Sequence, residues 1–581
     1  MLKNYISLAN ELWSAFEHKK GSALLLLFMI VISSFLDAIS IGFLLPVMEV
    51  IIEGNTDNSY LDHLLSKFNG LTQEKTLVIV LGIFLLLILI KNIIIYLKNR
   101  IMANLLFGLR GYWTSELMNK YLHSNYNFIL NSKQGTLINN VLVETEKAQI
   151  CLKFLVQFVS AAILSTFMVG VLYFISWQMT TIMLLVMVLV VFIFYNLVGA
   201  YTRKVGAEKL KYAKSIGNQV SESIIAIKQI KTLSMEGRIS KSFSGVVDKY
   251  VKTLSDFRVN SSLPKIISEV LVVFLLVMIV FCMINFTNYD IKNLVPIIAI
   301  FIVVGNRVAV QASLLTNSSM HILSNWVSLK RIYGLVKDDV GREVLEEGSV
   351  FEAFNCDIVF KNVSFSYGAD HKVFEQLNFK IPKGKFVFLI GESGSGKSTL
   401  VDLLLLLQAP QSGSIVAGAN DLSKINIKSW RSNIGYVSQD ILLFNKSIRE
   451  NIRDGKCSAT DREVEEICKL VNANEFIQRL PNGYETNVGD RGAKLSGGQS
   501  QRLALARSML HDPNLLIFDE ATSAMDQKLE EKIIQEIKLN SAGKTVLFIT
   551  HRLATAVHAD VIYRLAGGKI TTLSRTDLNN Y

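Results

Sequence analysis

Six long apolar stretches precede residue 325, roughly at 22–50, 76–100, 152–176, 178–201, 263–286 and 294–322. Each is long enough for a transmembrane helix, which needs about 20 residues. The third and fourth are separated only by a tight turn near Ser176–Met179, which predicts a helical hairpin. Residues 3–20 read instead as an amphipathic helix at the inner interface, anchored by Trp13, Lys19 and Lys20. From about Val350 the pattern changes. Residues 356–367 alternate with the period of a strand, and residues 386–390 form a continuous apolar strand.

Charge orients the first half. The connection 201–265 holds 13 Lys and Arg against 5 Asp and Glu, whereas the loop 51–75 holds 2 against 4. The positive-inside rule then makes the first cytoplasmic and the second external, with both termini in the cytoplasm. The two cytoplasmic connections, about 101–151 and 202–262, are long, so the helices are expected to run on as a stalk. The domains expected are an interfacial helix (1–20), a transmembrane domain (21–325), a linker (326–349) and a soluble domain (350–581).

Composition agrees with a membrane protein. Half of the 581 residues are hydrophobic, mean hydropathy is +0.35 and charged residues are 19%, below the usual soluble share of about 25%. The net charge of +11 is what basic cytoplasmic loops produce, and six spans argue against a soluble nucleic-acid partner. Five scattered cysteines (Cys151, Cys282, Cys356, Cys457, Cys468) form no CxxC pair, so neither a disulfide framework nor a zinc site is expected. No cleavable signal peptide is expected ahead of the first apolar run.

The chemistry sits in the second half. The strand 386–390 runs straight into Gly391–Glu392–Ser393–Gly394–Ser395–Gly396–Lys397–Ser398–Thr399 and then an apolar helix. Strand, Gly-rich loop and helix are the context of a phosphate-binding P-loop. Backbone N–H groups and a helix N-terminus face the phosphates. Lys397 supplies a point charge and Ser398 can ligate Mg²⁺. A second apolar strand ends in Asp519 and Glu520. A carboxylate there suits Mg²⁺ (Asp519), and the next can polarise an attacking water (Glu520).

Leu495–Arg502 (LSGGQSQR), shortly before the strand ending in Asp519 and Glu520, resembles the signature of ATP-binding cassette (ABC) ATPases. The resemblance implies further roles. Tyr367 would stack on adenine. Gln439 would be the Q-loop glutamine and reach the metal. Asp526, after a Met525 where Leu is usual, would belong to the D-loop. His551 would be the switch histidine. Ser496, Gly497, Gly498 and Gln499 would bind the nucleotide of a second copy across a dimer interface. Thr486–Gly492 is similar to an exporter loop that touches the membrane domain, and residues 126–148 and 221–237 to the two coupling regions.

Together the halves resemble an ABC half-exporter. That resemblance implies six long helices of the type I exporter (type IV ABC) fold fused to an α/β P-loop ATPase domain. It also implies ATP and Mg²⁺ as cofactors and a homodimer, with a heterodimer of two half-transporters as the alternative. The chain is expected to be a multi-pass protein of a bacterial inner membrane. About 20 residues precede the first helix, so no peptidase domain is expected there. The first and sixth helices resemble bacterial flippases for lipid-linked oligosaccharides, which implies an amphipathic lipid cargo. A peptide or amphipathic-drug exporter is the alternative, and an ATP-gated protein that does not pump is a third reading.

One charge stands out in the first helix. Ser33, Asp37 and Ser40 fall at i, i+4 and i+7, on one face. A lone carboxylate facing lipid costs at least about 2.5–3.5 kcal/mol, so this face is expected to line the interior or a cavity. Two readings stay open. Asp37 or Glu269 pairs with Arg307 structurally while Lys91 snorkels. Alternatively Arg307, with Lys91, receives an anionic headgroup that Asp37 balances.

Overall fold

The computed structural model describes residues 19–43, 73–175, 215–286, 291–338, 347–351, 354–368, 371–522 and 525–574, with a few single positions between them. The chain forms two units, one of residues 1–122 and 133–340, the other of residues 123–132 and 341–581.

The first unit is built from helices. They are α1 (Lys20–Gly42), α2 (Gln73–Leu122), α4 (Thr145–Ile175), α5 (Glu236–Phe286) and α6 (Ile291–Lys337). The short helix α3 (Tyr126–Asn131) lies between α2 and α4 in sequence but belongs to the second unit. Apolar stretches two, three, five and six fall on these helices, as do residues 22–42 of the first, whose residues 44–50 lie outside the described residues. The fourth, the interfacial segment 3–18 and most of the hairpin turn lie outside the described residues. At about 1.5 Å per residue, the 50 residues of α2 reach about 75 Å. A hydrocarbon core is about 30 Å thick, so α2 continues well past its apolar stretch, as the stalk expectation required. The extension has its own core. Leu105, Leu109, Trp113 and Leu117 recur every four residues on one face of α2, and they pack with Cys151 and Leu152 of α4 and Leu329 and Ile332 of α6.

The second unit holds two sheets. One is antiparallel, in the order β2–β1–β4–β5, from β1 (Ile358–Tyr367), β2 (His371–Ile381), β4 (Ser412–Ala417) and the two-residue β5 (Asn420–Asp421). The other has the order β10–β9–β3–β8–β7–β6. Its strands are β3 (Phe386–Gly391), β6 (Ile434–Val437), β7 (Leu515–Asp519), β8 (Thr545–Thr550), β9 (Val561–Ala566) and β10 (Lys569–Leu573). All pair in parallel except β10, which returns antiparallel to β9. Covered on both faces, β3, β7 and β8 are continuous apolar runs, as parallel central strands must be.

Three helices of this unit bear on the site: α7 (Lys397–Leu404), α8 (Gly497–Met509) and α9 (Gln527–Asn540). The two predicted coupling regions form short helices. In α3, Asn127 Oδ1 accepts a hydrogen bond from Gln408 Nε2 at 2.7 Å, and Gln408 is buried. In the other, a helix over Ile227–Thr232 ends in a turn with Ser234 at φ +52°, and Ile224, Ile225 and Leu233 are exposed.

Candidate active site

Register brings the chemistry together. Ile390 of β3 lies beside Thr550 of β8, and Ile549 lies beside Asp519 of β7. The C-terminal ends of three adjacent parallel strands therefore release Gly391, Glu520 and His551 at one sheet edge, the edge where such sheets bind ligands. A cavity of about 1010 Å³ opens there. It is lined by Tyr367, the loop Ser393–Thr399, Gln439, Asp519, Glu520 and His551.

The loop is shaped to take phosphate. Gly396 sits at φ +105°, and a Cβ there would lie 2.9–3.0 Å from Val373 and Phe374. A Cβ on Gly391 would meet the Leu565 carbonyl at 2.6 Å. Both glycines let the backbone approach where a side chain would block it. Lys397 is buried, and its Nζ donates to the loop's own carbonyls, Gly391 O at 2.8 Å and Glu392 O at 2.9 Å. Ser395 Oγ is buried without a partner. An orphaned hydroxyl, a lysine and a glycine cradle at a helix N-terminus fit a polyphosphate. Ser398, Asp519 and Gln439 are oxygen donors at the same cavity, the donor chemistry of Mg²⁺.

The acidic end is tightly arranged. Asp519 is buried, which raises its carboxyl to about 6, with Glu520 adding to the shift and Lys397 opposing it. Glu520 adopts φ +49°, a conformation uncommon for a non-glycine residue. Its N–H donates to Ile549 O at 3.0 Å, and its Oε2 accepts from Gln439 Nε2 at 2.9 Å. His551 Nδ1 lies 3.6 Å from its Oε1. A carboxylate beside an amide and an imidazole at the mouth of a phosphate cradle can hold a water and accept its proton.

The remaining sequence-selected residues are dispersed. Tyr367 lies at the cavity, 39% exposed, and its hydroxyl is 3.4 Å from Asp402 Oδ2. Burial raises the Asp402 carboxyl to about 6. The signature residues do not line this cavity. Ser496 caps α8, and Gln499 returns the bond in a capping box, Oε1 accepting from Ser496 N–H at 2.9 Å. That occupies the Gln499 carbonyl oxygen and leaves the N–H groups of Gly497 and Gly498 at the helix start. Asp526 caps α9 through Leu529 N–H at 3.0 Å. Sequence reasoning missed the β9–β10 side of the cavity, where Arg564 and Lys569 flank the Gly567–Gly568 turn, and also missed Lys372 on β2. The signal available was two cations around a glycine pair.

In the first unit, Ser33, Asp37 and Ser40 are all buried. The two serines bond their own helix, to Ile30 O at 3.0 Å and Leu36 O at 2.6 Å. Asp37 pairs with Lys91 of α2 at 2.8 Å, which corrects the expected pairing of Asp37 with Arg307 and of Lys91 with the interface. The reason is packing: α1 lies along α2. Arg307 of α6 is exposed, like its neighbour Asn306, and has no hydrogen bond or ion pair among the described residues. The side chain of Glu269 lies outside the described residues.

Comparison with known proteins accords with both units. Residues 374–523 match the family described as ABC transporter, and residues 23–308 match ABC transporter transmembrane region. The chain is 30% identical over 454 residues to the heterocyst differentiation ATP-binding protein HepA of Nostoc, covering 76% of this chain and 72% of HepA. It is 44% identical over 230 residues to ABC transporter B family member 2 of Dictyostelium discoideum. That match spans 39% of this chain and only 16% of that protein. A solved bacterial Atm1-family ABC exporter with ATP bound has the same fold, at TM-score 0.76 and 21% identity over 97% of both chains. With a membrane-spanning helical unit, an ABC ATPase unit and a relative matched over most of its length, the chain belongs to the ABC transporter family.

Proposed function

We propose that the chain is one half of an ATP-driven exporter or flippase. It would move a lipid-linked oligosaccharide or another amphipathic lipid outward from the inner leaflet by alternating access. The membrane is a bacterial inner membrane, with the ATPase unit and both termini in the cytoplasm. The observation that carries the ATPase reading is Glu520, held at the mouth of the phosphate cradle between Gln439 and His551.

Each residue then has a task. Tyr367 stacks on the base. The backbone of Gly391–Thr399 and Lys397 hold the phosphates. Ser398, Gln439 and Asp519 hold Mg²⁺, which neutralises the charge developing on the transferred phosphoryl group. Glu520 takes the proton of the attacking water, and His551 contacts the γ-phosphate. Ser496, Gly497, Gly498, Gln499 and Asp526 stand away from this cavity and complete the site of a second copy. The working unit is accordingly a dimer with two composite sites. It is a homodimer, because this one chain carries the residues for both faces. Closure of the ATPase units on ATP supplies the population shift that reorients the helices.

For cargo, the support is Arg307, a guanidinium exposed on an apolar face of α6 that no described residue neutralises. A charge left so in a membrane calls for an anionic partner. The pyrophosphate or phosphate of a lipid carrier provides one. Lys91 is already neutralised by Asp37, which leaves Arg307 as the cation of the two available to an anionic headgroup. The test is ATPase activity in liposomes with lipid-linked glycans, other anionic lipids or peptides added. Stimulation by the lipid carriers and their outward movement is expected. Stimulation by peptides alone would overturn the lipid reading and favour a peptide exporter.

A further inference from the structure

Helix α9 buries one stripe: positions 530, 533, 534 and 537 follow the i, i+3, i+4, i+7 spacing of a core face. Three are isoleucines, and the fourth is Glu530, whose residue is only 1% exposed. A carboxylate in such a place is costly unless it is paired and hydrogen-bonded. Here it has two partners. Thr522 Oγ1 donates to Glu530 Oε1 at 2.6 Å, and Arg552 Nη1 donates to Oε2 at 2.7 Å.

Those partners come from the two catalytic segments. Thr522 follows Glu520 by two residues, and Arg552 follows His551 directly. Arg552 is itself oriented, its N–H donating to Thr550 Oγ1 at 2.9 Å. The same helix begins at Asp526, its N-cap. One buried carboxylate thus joins the chain leaving β7, the chain leaving β8 and the helix that starts at Asp526. Neither of these hydrogen bonds goes to the phosphate loop or to Tyr367.

We propose that Glu530 is a positioning residue for ATP hydrolysis, setting the separation of Glu520 and His551 by holding Thr522 and Arg552 at fixed points. The inference rests on the hydrolytic roles proposed for Glu520 and His551. Without the carboxylate, the two segments lose their common anchor. The water-holding carboxylate and the histidine then no longer meet in the geometry of 3.6 Å. Nucleotide binding, which uses the other side of the cavity, is left intact.

The experiment uses the full chain in lipid nanodiscs, with ATPase kinetics, binding of a fluorescent ATP analogue and thermal stability measured on each variant. Glu530→Gln keeps the size and one acceptor but removes the charge. Its kcat is expected to fall about 10–100-fold, the usual effect of removing an outer positioning partner, with analogue affinity within about threefold of wild type. Thr522→Val deletes one donor, and its kcat is expected to fall about 3–10-fold. Arg552→Lys keeps the charge and should retain most of the activity that Arg552→Met loses. A folded Glu530→Gln with kcat within twofold of wild type would overturn the inference, and so would losses that appear only in KM and melting temperature. Should Glu530→Gln fail to fold, Thr522→Val decides: unchanged kcat overturns the proposal, and a lowered kcat at intact binding supports it. Glu520→Gln at wild-type turnover would instead remove the hydrolytic reading beneath it, a failure separate from the one Glu530→Gln reports.

Discussion

Lys91 donates a hydrogen bond to Asp37 at 2.8 Å across α1 and α2, and the two side chains are only 13% and 11% exposed. Each group removes the reason the other is costly in an apolar setting. Loss of either partner strands a charge, so Asp37→Ala and Lys91→Ala should each destabilise the protein by about 3–5 kcal/mol. The double variant Asp37→Asn, Lys91→Met should recover most of that loss. Thermal unfolding in detergent measures it. A double variant no more stable than the singles would mean that the two residues act independently.

Glu520→Gln should still bind ATP while its turnover falls about 10²–10⁴-fold, the usual cost of losing a general base. Gln439 and His551 remain to hold the water, so the loss falls on proton transfer. Phosphate release and nucleotide binding, measured on the same preparation, separate the two. Turnover at the wild-type rate would exclude Glu520 from that role.

Arg307→Ala should fold normally and keep its basal ATPase activity, because the side chain is exposed and makes no hydrogen bond or ion pair among the described residues. Transport of an anionic lipid-linked substrate should collapse, while a neutral analogue is affected less. Unchanged transport of the anionic substrate would end the headgroup role.

Asp402 supplies a pH test. Burial raises its carboxyl from 3.8 to about 6 in the folded protein, so the native state holds a proton that the unfolded chain has released. Stability contributed by this group therefore falls as pH rises from about 4 to about 6 and is level above that. Asp402→Asn removes the penalty. Its melting temperature should match wild type most closely at low pH, exceed it by a margin that grows up to about pH 6, and keep that margin above it. A margin that does not depend on pH would contradict this account.

Gly396→Ala should abolish nucleotide binding. The backbone there is left-handed, and a Cβ would press on Val373 and Phe374 at 2.9–3.0 Å. Binding of a fluorescent ATP analogue reads the effect directly. Near-normal affinity would show that the loop can relax.

Much of this protein was legible in its sequence because the signals are local. The phosphate loop needs glycines at set spacings between a strand and a helix, and all of them are adjacent in the chain. An apolar run of about 20 residues means a membrane span wherever it occurs. The signature's role as a helix start was also readable, since Ser496 and Gln499 sit three residues apart, the spacing of a capping box.

Only the tertiary structure decided which distant charges meet. The sequence suggested Arg307 as the partner of Asp37 and the interface for Lys91, and finding the Asp37–Lys91 pair required knowing that α1 lies along α2. In the sequence Glu530 is one acid among several on a segment rich in Glu and Lys. Its partners, 8 and 22 positions away, both lie outside that helix, on segments that only the fold brings to it. The left-handed backbone at Glu520 is not written in its residue type either, and its N–H bonds Ile549 on the neighbouring strand. Hydrophobic periodicity reports what a segment buries. Which ion pair survives burial depends on the packing of segments far apart in the chain, and a one-dimensional pattern does not contain it.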